Sequence, residues 1–333
     1  MKLVTYESGK QRRVGVADHD KVVDIRAVLE ALEKRQGPRA LYSDSKFKVA
    51  SRTLTDAGAA PRDMIGVLSS GDEWLKALAI VTHGFVEELA ARQGSQRAAP
   101  KLPKGMILPL ESVRLRAPIH RPGKITCIGM NYADHAREGG KEPPTAPIFF
   151  LKASNIVIGP NDPIILPPNS EKVDYEAEFA VVLGKPGRRI SEENAYEHVA
   201  GYTIMNDVSA RDMQFGDGQW FRGKSCDTFA PLGPWIVTRD EVPDPHNLKI
   251  SLTLNGQTMQ DSNTSNLIFR APFLVSYLSQ SLSWETGDLI STGTPPGVGV
   301  HRNPPVLLKP GDEVGITVER LGTLTNPVAG SAS

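Results

Sequence analysis

Val173-Asp174-Tyr175-Glu176-Ala177-Glu178-Phe179 runs directly into Ala180-Val181-Val182-Leu183. Carboxylates are thus set inside a stretch that otherwise reads as a buried β-strand. Side chains two residues apart on a strand share a face, so Glu176 and Glu178 point the same way. Two like charges on one apolar face each disfavour ionisation of the other unless a cation lies between them. A divalent metal is the simplest such cation. Against this stands the commoner fate of strand carboxylates, a solvated edge-strand face, because glutamate is seldom buried without a partner. Spacing alone leaves both readings open, and the flanking segments shift the balance.

A hard divalent ion such as Mg2+ or Mn2+ wants several oxygen ligands, so a further carboxylate is expected from elsewhere in the chain. Asp207 is the best candidate. It ends the apolar run Ala200-Gly201-Tyr202-Thr203-Ile204-Met205-Asn206, a second core strand, and precedes Val208-Ser209-Ala210-Arg211-Asp212, a loop leading into a helix. Glu176, Glu178 and Asp207 together make a three-carboxylate metal site.

The bulk of the chain is consistent with small-molecule chemistry. Its 333 residues fit two domains, or one with an extension. With 38 basic and 38 acidic residues and no basic block, nothing marks a nucleic-acid or polybasic membrane surface. The two cysteines, Cys127 and Cys226, do not form a metal-type pair, which suits a reduced compartment. Met1-Lys2-Leu3-Val4-Thr5-Tyr6 lacks the apolar core of a signal peptide, and no apolar run is long enough to span a bilayer. A cytoplasmic protein is expected.

Residues 1–93 read as a smaller N-terminal α+β domain. Leu3 to Tyr6, Arg13 to Val16 and Val22 to Ile25 form a meander, followed by a helix over Ala27 to Lys34 and a longer one opening at Asp72, the expected N-cap, and running to about Arg92. The polar, Pro-containing stretch 94–105 reads as a linker. Residues 106–333 read as the catalytic domain. There, short apolar strands at 124–128, 148–151, 178–183, 235–238, 249–254 and 314–318 alternate with Pro, Gly and Asn turns. The fold class is therefore α+β, mainly β. Asn255-Gly256 between apolar runs predicts a hairpin, and Leu274, Leu278 and Leu282 predict one helix over 267–282.

Three further segments carry chemistry. In Gly129-Met130-Asn131-Tyr132-Ala133-Asp134-His135-Ala136-Arg137-Glu138-Gly139-Gly140, His135 and Glu138 are three apart, and one helical turn brings the carboxylate beside the imidazole. Such a carboxylate holds and polarises the ring as a base near neutral pH; the ordinary alternative is a surface pair. The flanking glycines and Pro143-Pro144 suit a lid. Lys224, between aromatics and glycines in 220–234, is placed to meet a developing oxyanion or else to snorkel at the surface. Ser291-Thr292-Gly293-Thr294-Pro295-Pro296-Gly297-Val298-Gly299 combines hydroxyls with glycine-exposed amides, a chemistry that suits a substrate carboxylate. His19, His83, His120, His198, His246 and His301 have no spaced partner and read as surface or packing residues, although His301 follows the Thr294 loop toward the mouth of the site.

Taken together, Asn131 to Glu138, Asp174 to Phe179, Asn206 to Asp212, Lys224 to Pro234 and Ser291 to Gly299 resemble, in this order and spacing, the fumarylacetoacetate hydrolase superfamily. The resemblance is to its branch of acylpyruvate hydrolases and 2-hydroxyhepta-2,4-diene-1,7-dioate isomerases. It covers about residues 106 to 328. It implies a mixed β-sandwich roll, a homodimer, and Mg2+ or Mn2+ on Glu176, Glu178 and Asp207. It also implies His135 with Glu138 as a water-activating dyad on a mobile lid, Lys224 as support for the oxyanion, and Gln214 and Thr294 as substrate contacts. Relatives acting on fumarylacetoacetate itself usually carry a further aspartate about where this chain has Ile128, and many relatives have Arg in place of Met130.

The activity expected first is metal-dependent hydrolysis of a C–C bond in a 2,4-dioxo acid of acylpyruvate or fumarylpyruvate type, giving pyruvate and a carboxylic acid. The alternative keeps the site and changes the reaction, to isomerisation of 2-hydroxyhepta-2,4-dienedioate or decarboxylation of oxaloacetate-like acids. A catalytically silent metal-binding scaffold predicts loss of the dyad or the ligands, and His135, Glu138, Glu176, Glu178 and Asp207 are all present.

Overall fold

The N-terminal apolar runs pair as an antiparallel meander of Lys2–Ser8, Gln11–Asp18 and Lys21–Asp24, extended by Ile107–Pro109 on the third strand. The computed structural model describes residues 1–38, 40–91 and 102–331. It divides into two compact units, Met1–Leu115 and Arg116–Ser333. Of the expected linker, residues 94–101 lie outside the described residues.

In the first unit the third strand stops at Asp24 rather than Ile25, because Asp24 caps the helix Ile25–Glu33 by accepting from the Ala27 N–H at 2.8 Å. Helix Asp72–Ala90 is entered through Gly71, at φ 82°. Asp72 is therefore not the N-cap. It lies with Glu73 in the first turn, where carboxylates complement the exposed N–H groups.

The second unit is built outward from strand Ala177–Leu183, whose seven residues are all buried. It pairs antiparallel with Val199–Asn206 on one side and Leu289–Ser291 on the other. The sheet continues to Ala230–Thr238 beyond the first neighbour, and to Ile125–Gly129 and then Ile148–Lys152 beyond the second. Such a central strand needs apolar side chains on both faces, and Phe179 stacks on Tyr202 with ring centroids 5.1 Å apart. A second sheet runs Gln257–Asn263, Lys249–Leu254, Glu313–Val318, Gly322–Ala329, Ile164–Ile165. Its hairpin turns at Asn255 and Gly256, both at positive φ (53° and 79°), the geometry that Asn-Gly favours. The helix expected over 267–282 is shorter, Ala271–Ser279, since Pro272 in its first turn has no N–H to continue a helix from upstream. Leu274 and Leu278 are buried on it as their spacing requires.

His246 is buried, with Nε2 3.2 Å from the Tyr196 hydroxyl. Burial, reinforced by Arg270, lowers its pKa from 6.5 to about 4. The unfolded chain therefore binds the proton first. The stability this group contributes is full above pH 6.5 and is lost as pH falls from there toward 4. Unfolding free energies from urea titrations at pH 7 and pH 5 should differ by on the order of 2 kcal/mol more in the wild type than in His246→Gln. An equal loss from pH 7 to pH 5 in the two proteins would show that His246 does not govern acid stability.

Candidate active site

Glu178 lies on strand Ala177–Leu183, while Glu176 sits just before it, in the two residues that separate it from the short strand Val173–Asp174. The two carboxylates still turn to one side, and Asp207 meets them from the end of Val199–Asn206. One oxygen from each lies within 4.8 Å of the others. All three residues are buried, so the solvated-edge reading of Glu176 and Glu178 is excluded.

A buried lysine stands among them. Lys224, at the end of the short helix Phe221–Lys224, donates to Glu176 Oε2 and Asp207 Oδ2, each at 2.8 Å, and lies 5.1 Å from the Phe150 ring centroid. It is 2% exposed, which rules out snorkelling. Two cations that the sequence reading left without a role complete the network. Lys152, the last residue of the strand Ile148–Lys152, donates to Asp207 Oδ1 at 2.5 Å. Arg211 bridges Glu176 Oε1 at 2.7 Å and Asp174 Oδ2 at 2.8 Å. The signal for Asp174 was present in its register, since it continues the period-two row of Glu176 and Glu178. Lys152 closes an apolar strand with nothing in sequence to show that it turns inward.

Among the described residues, this network joins the carboxylates of Asp174, Glu176, Glu178 and Asp207 to the cations Lys152, Lys224 and Arg211, leaving one negative charge in excess. The excess falls on Glu178. It accepts hydrogen bonds from the Ser291 hydroxyl and the Gly293 N–H, and no ion pair reaches it among the described residues. Burial first, then Asp207 and Glu176, push its pKa well above the usual carboxylate range. Burial also opposes charge on Glu176, but Lys224 and Arg211 outweigh it and hold that group below the usual range. For Lys224 burial is likewise outweighed, by Asp207 and Glu176, and its pKa is raised. Three convergent hard oxygens with an uncompensated charge fit a hard divalent cation.

His135 and Glu138 lie on the single-turn helix Ala133–Glu138, with Nδ1 3.2 Å from Oε2. Glu138 Oε1 accepts from the Gly297 N–H at 2.9 Å. Half-burial would raise the Glu138 pKa, but the His135 and Gly297 hydrogen bonds outweigh it and keep the carboxylate charged. The turn before this helix is pinned by buried Asn131, which donates to Thr292 O (2.7 Å) and Phe269 O (2.9 Å) and accepts from Phe269 N–H (2.7 Å). Gly293, at φ 104°, gives Asn131 its room, since a Cβ there would stand 2.8 Å from that of Asn131.

The 291–299 segment departs from expectation. Its amides are engaged by the protein's own carboxylates: Gly293 on Glu178, Gly297 on Glu138, and Gly299, with the following Val300, on Asp174 at 2.8 and 3.1 Å. The loop organises the site instead of presenting those amides to a ligand. A cavity of about 330 Å³ lies over the network, lined by Glu176, Glu178, Asp207, His135, Lys224 and the apolar Ile128, Met130, Phe150 and Trp220. Gln214 and Thr294 line it too, with Gln214 Oε1 accepting from Arg211 and Thr294 Oγ1 from Gln260. His301, read in sequence as surface or packing, also lines the cavity, its ring 6.0 Å from that of His135.

The family model described as fumarylacetoacetate (FAA) hydrolase, C-terminal, matches residues 124–329. The chain belongs to the fumarylacetoacetate hydrolase family. Within the family it is 52% identical over 224 residues to a mitochondrial oxaloacetate tautomerase of Bos taurus, an alignment covering 67% of this chain and 71% of the relative. A 2-hydroxyhepta-2,4-diene-1,7-dioate isomerase from Mycobacterium marinum shares the fold with a TM-score of 0.67 at 30% identity, over 100% of both chains. A maleylpyruvate hydrolase from Sphingobium does so with a TM-score of 0.69 at 27% identity, over 99% of this chain and 100% of that one. Family members thus catalyse both isomerisation and hydrolysis, and the more similar relative is a tautomerase. These likenesses favour the alternative drawn from sequence over C–C hydrolysis. Among the described residues, no helix is long and apolar enough to cross a membrane.

The charge on Glu178 sets a stability signature. With its pKa raised on folding, the metal-free protein should lose stability as pH rises above the ordinary glutamate range toward that raised value. Glu178→Gln should remove this slope. Saturating Mg2+ or Mn2+ should raise the wild-type melting temperature by several degrees, about 2.7 kcal/mol at a hundredfold excess over Kd, and should leave Glu178→Gln nearly unmoved. An equal metal response in both proteins, read by scanning calorimetry, would remove Glu178 from the ligand set.

Proposed function

We propose that this protein is a tautomerase of oxaloacetate-like 2-oxo diacids, moving one proton between C3 and the oxygen on C2. The observation that carries the reading is the 52% identity with a named oxaloacetate tautomerase. The geometry supports it, because a keto–enol interconversion needs one well-placed base beside a group that stabilises enolate charge, and the cavity sets His135 over a three-carboxylate cluster that would hold a divalent cation.

Glu138, held charged, accepts from His135 Nδ1–H and so leaves Nε2 as the proton acceptor. Nε2 takes the C3 proton, Glu138 stabilises the resulting imidazolium, and the same nitrogen returns the proton to oxygen or carbon. Lys224 holds Glu176 and Asp207 as carboxylates and contributes positive charge to the floor. Ile128, Met130, Phe150 and Trp220 keep the reacting carbon away from bulk water. Mg2+ or Mn2+ on Glu176, Glu178 and Asp207 would supply Lewis-acid stabilisation of enolate charge.

The homodimer implied by resemblance has a candidate surface. Strand Ile148–Lys152 ends the main sheet of the second unit and leaves Ile148, Phe149 and Leu151 exposed at 38%, 41% and 41%. An apolar edge strand of this kind invites a second chain, and we take that chain to be another copy. A reduced aqueous compartment, the cytoplasm on the sequence reading, suits the two free cysteines.

Purified protein with Mg2+ should speed the conversion of enol oxaloacetate to the keto form, followed by loss of enol absorbance. His135→Ala and Glu138→Gln should lower kcat by about a hundredfold or more. Release of pyruvate and a free acid from an acylpyruvate, without acceleration of the oxaloacetate equilibrium, would return the assignment to hydrolase. Phe149→Glu with Leu151→Glu should convert a dimer into a monomer by light scattering; a wild type that is already monomeric would rule this interface out.

A further inference from the structure

The cavity has a charged floor, apolar walls and a rim of different character. Of the basic groups lining it, Lys224 and Arg211 are committed to buried carboxylates. Lys141 and His301 also line it, are exposed, and make no side-chain hydrogen bond or ion pair among the described residues, His301 having only its ring contact with His135. Both belong to the lining of the same cavity. Lys141 follows the glycine pair that ends the His135 helix, and His301 follows the 291–299 loop. Gly139, two residues before Lys141, lies against the imidazole: a Cβ there would stand only 3.3 Å from His301 Nε2.

A substrate with its 2-oxo acid end on the floor and C3 at His135 must place its remaining group against an apolar wall or at this rim. A methyl group belongs at the wall. A carboxylate belongs at the rim, where an ammonium and an imidazole N–H stand free to meet it. We propose that His301, with Lys141, forms the subsite for the distal carboxylate of a four-carbon 2-oxo diacid and makes the site select diacids over monoacids. This rests on the tautomerase reading for the reaction and goes beyond it in assigning the residues that choose the substrate. Burial, with His135 next, lowers the His301 pKa, so the ring stays a neutral donor near pH 7 and does not compete with His135 for charge.

The test uses the full chain with Mg2+ and compares oxaloacetate with 2-oxobutanoate, which carries a methyl group in place of the distal carboxylate. C3 proton exchange in D2O, followed by NMR and corrected for the spontaneous rate, gives kcat/KM for each. His301→Phe and Lys141→Met should each lower the oxaloacetate to 2-oxobutanoate ratio of kcat/KM about tenfold, and His301→Asn, which keeps a donor, should recover part of it. A ratio unchanged in both variants, or a fall shared equally by the two substrates, would overturn the subsite. If neither substrate exchanges in the wild type, the tautomerase reading fails, and binding decides the subsite alone. Calorimetry with malate and 2-hydroxybutanoate, which differ by the same carboxylate, should then show malate bound about tenfold tighter by the wild type and equally by His301→Phe. No preference in the wild type would sink the proposal.

Discussion

The second unit is organised around a buried ionic network in which Lys152, Lys224 and Arg211 hold Asp174, Glu176 and Asp207, while Glu178 has hydrogen bonds but no ion pair. Desolvating that many charges costs several kcal/mol each, and their attraction repays it only when every partner is in place. The charges are gathered from several parts of the fold. The edge strand of the sheet delivers Lys152, the central strand and its lead-in deliver Glu178, Glu176 and Asp174, and the strand beside it ends at Asp207. Short helices supply Arg211 and Lys224. Sheet order is therefore constrained by charge as much as by apolar packing.

The 291–300 segment links this network to the dyad. Its amides satisfy Glu178, Glu138 and Asp174 in turn, so the backbone that fixes a candidate metal ligand also fixes the carboxylate that orients His135. Glycine is needed where the approach is closest: a Cβ on Gly299 would lie 2.6 Å from Asp174 Oδ1. A loop of this kind buries backbone N–H groups without orphaning them, and it leaves ligand recognition to side chains on the walls and rim.

That division of labour gives a physical reason why one family holds a tautomerase, an isomerase and a hydrolase. A divalent cation held by Glu176, Glu178 and Asp207 would supply stabilisation of enolate charge whichever reaction formed it. What happens next depends on the reach of His135, on whether a water is admitted, and on which groups hold the far end of the substrate. In this chain Ile128, Met130, Phe150 and Trp220 supply apolar wall, and Lys141 and His301 add exposed polar groups to the lining.

Much of this was legible in the sequence. The period-two carboxylates, the His135 and Glu138 turn, Asp207 at a strand end and the Asn255-Gly256 hairpin are local patterns, and local geometry carries them into the structure unchanged. Sequence alone also determined the family, through the order and spacing of five segments. Tertiary structure decided what depends on contacts between distant segments. It buried Lys152 and Arg211 as counter-ions, turned the glycine-loop amides onto the protein's own carboxylates, brought His301 to within 6.0 Å of His135, and left Glu178 without a cation. No spacing rule encodes these, because the charge state of a buried group is set by every neighbour the fold brings to it.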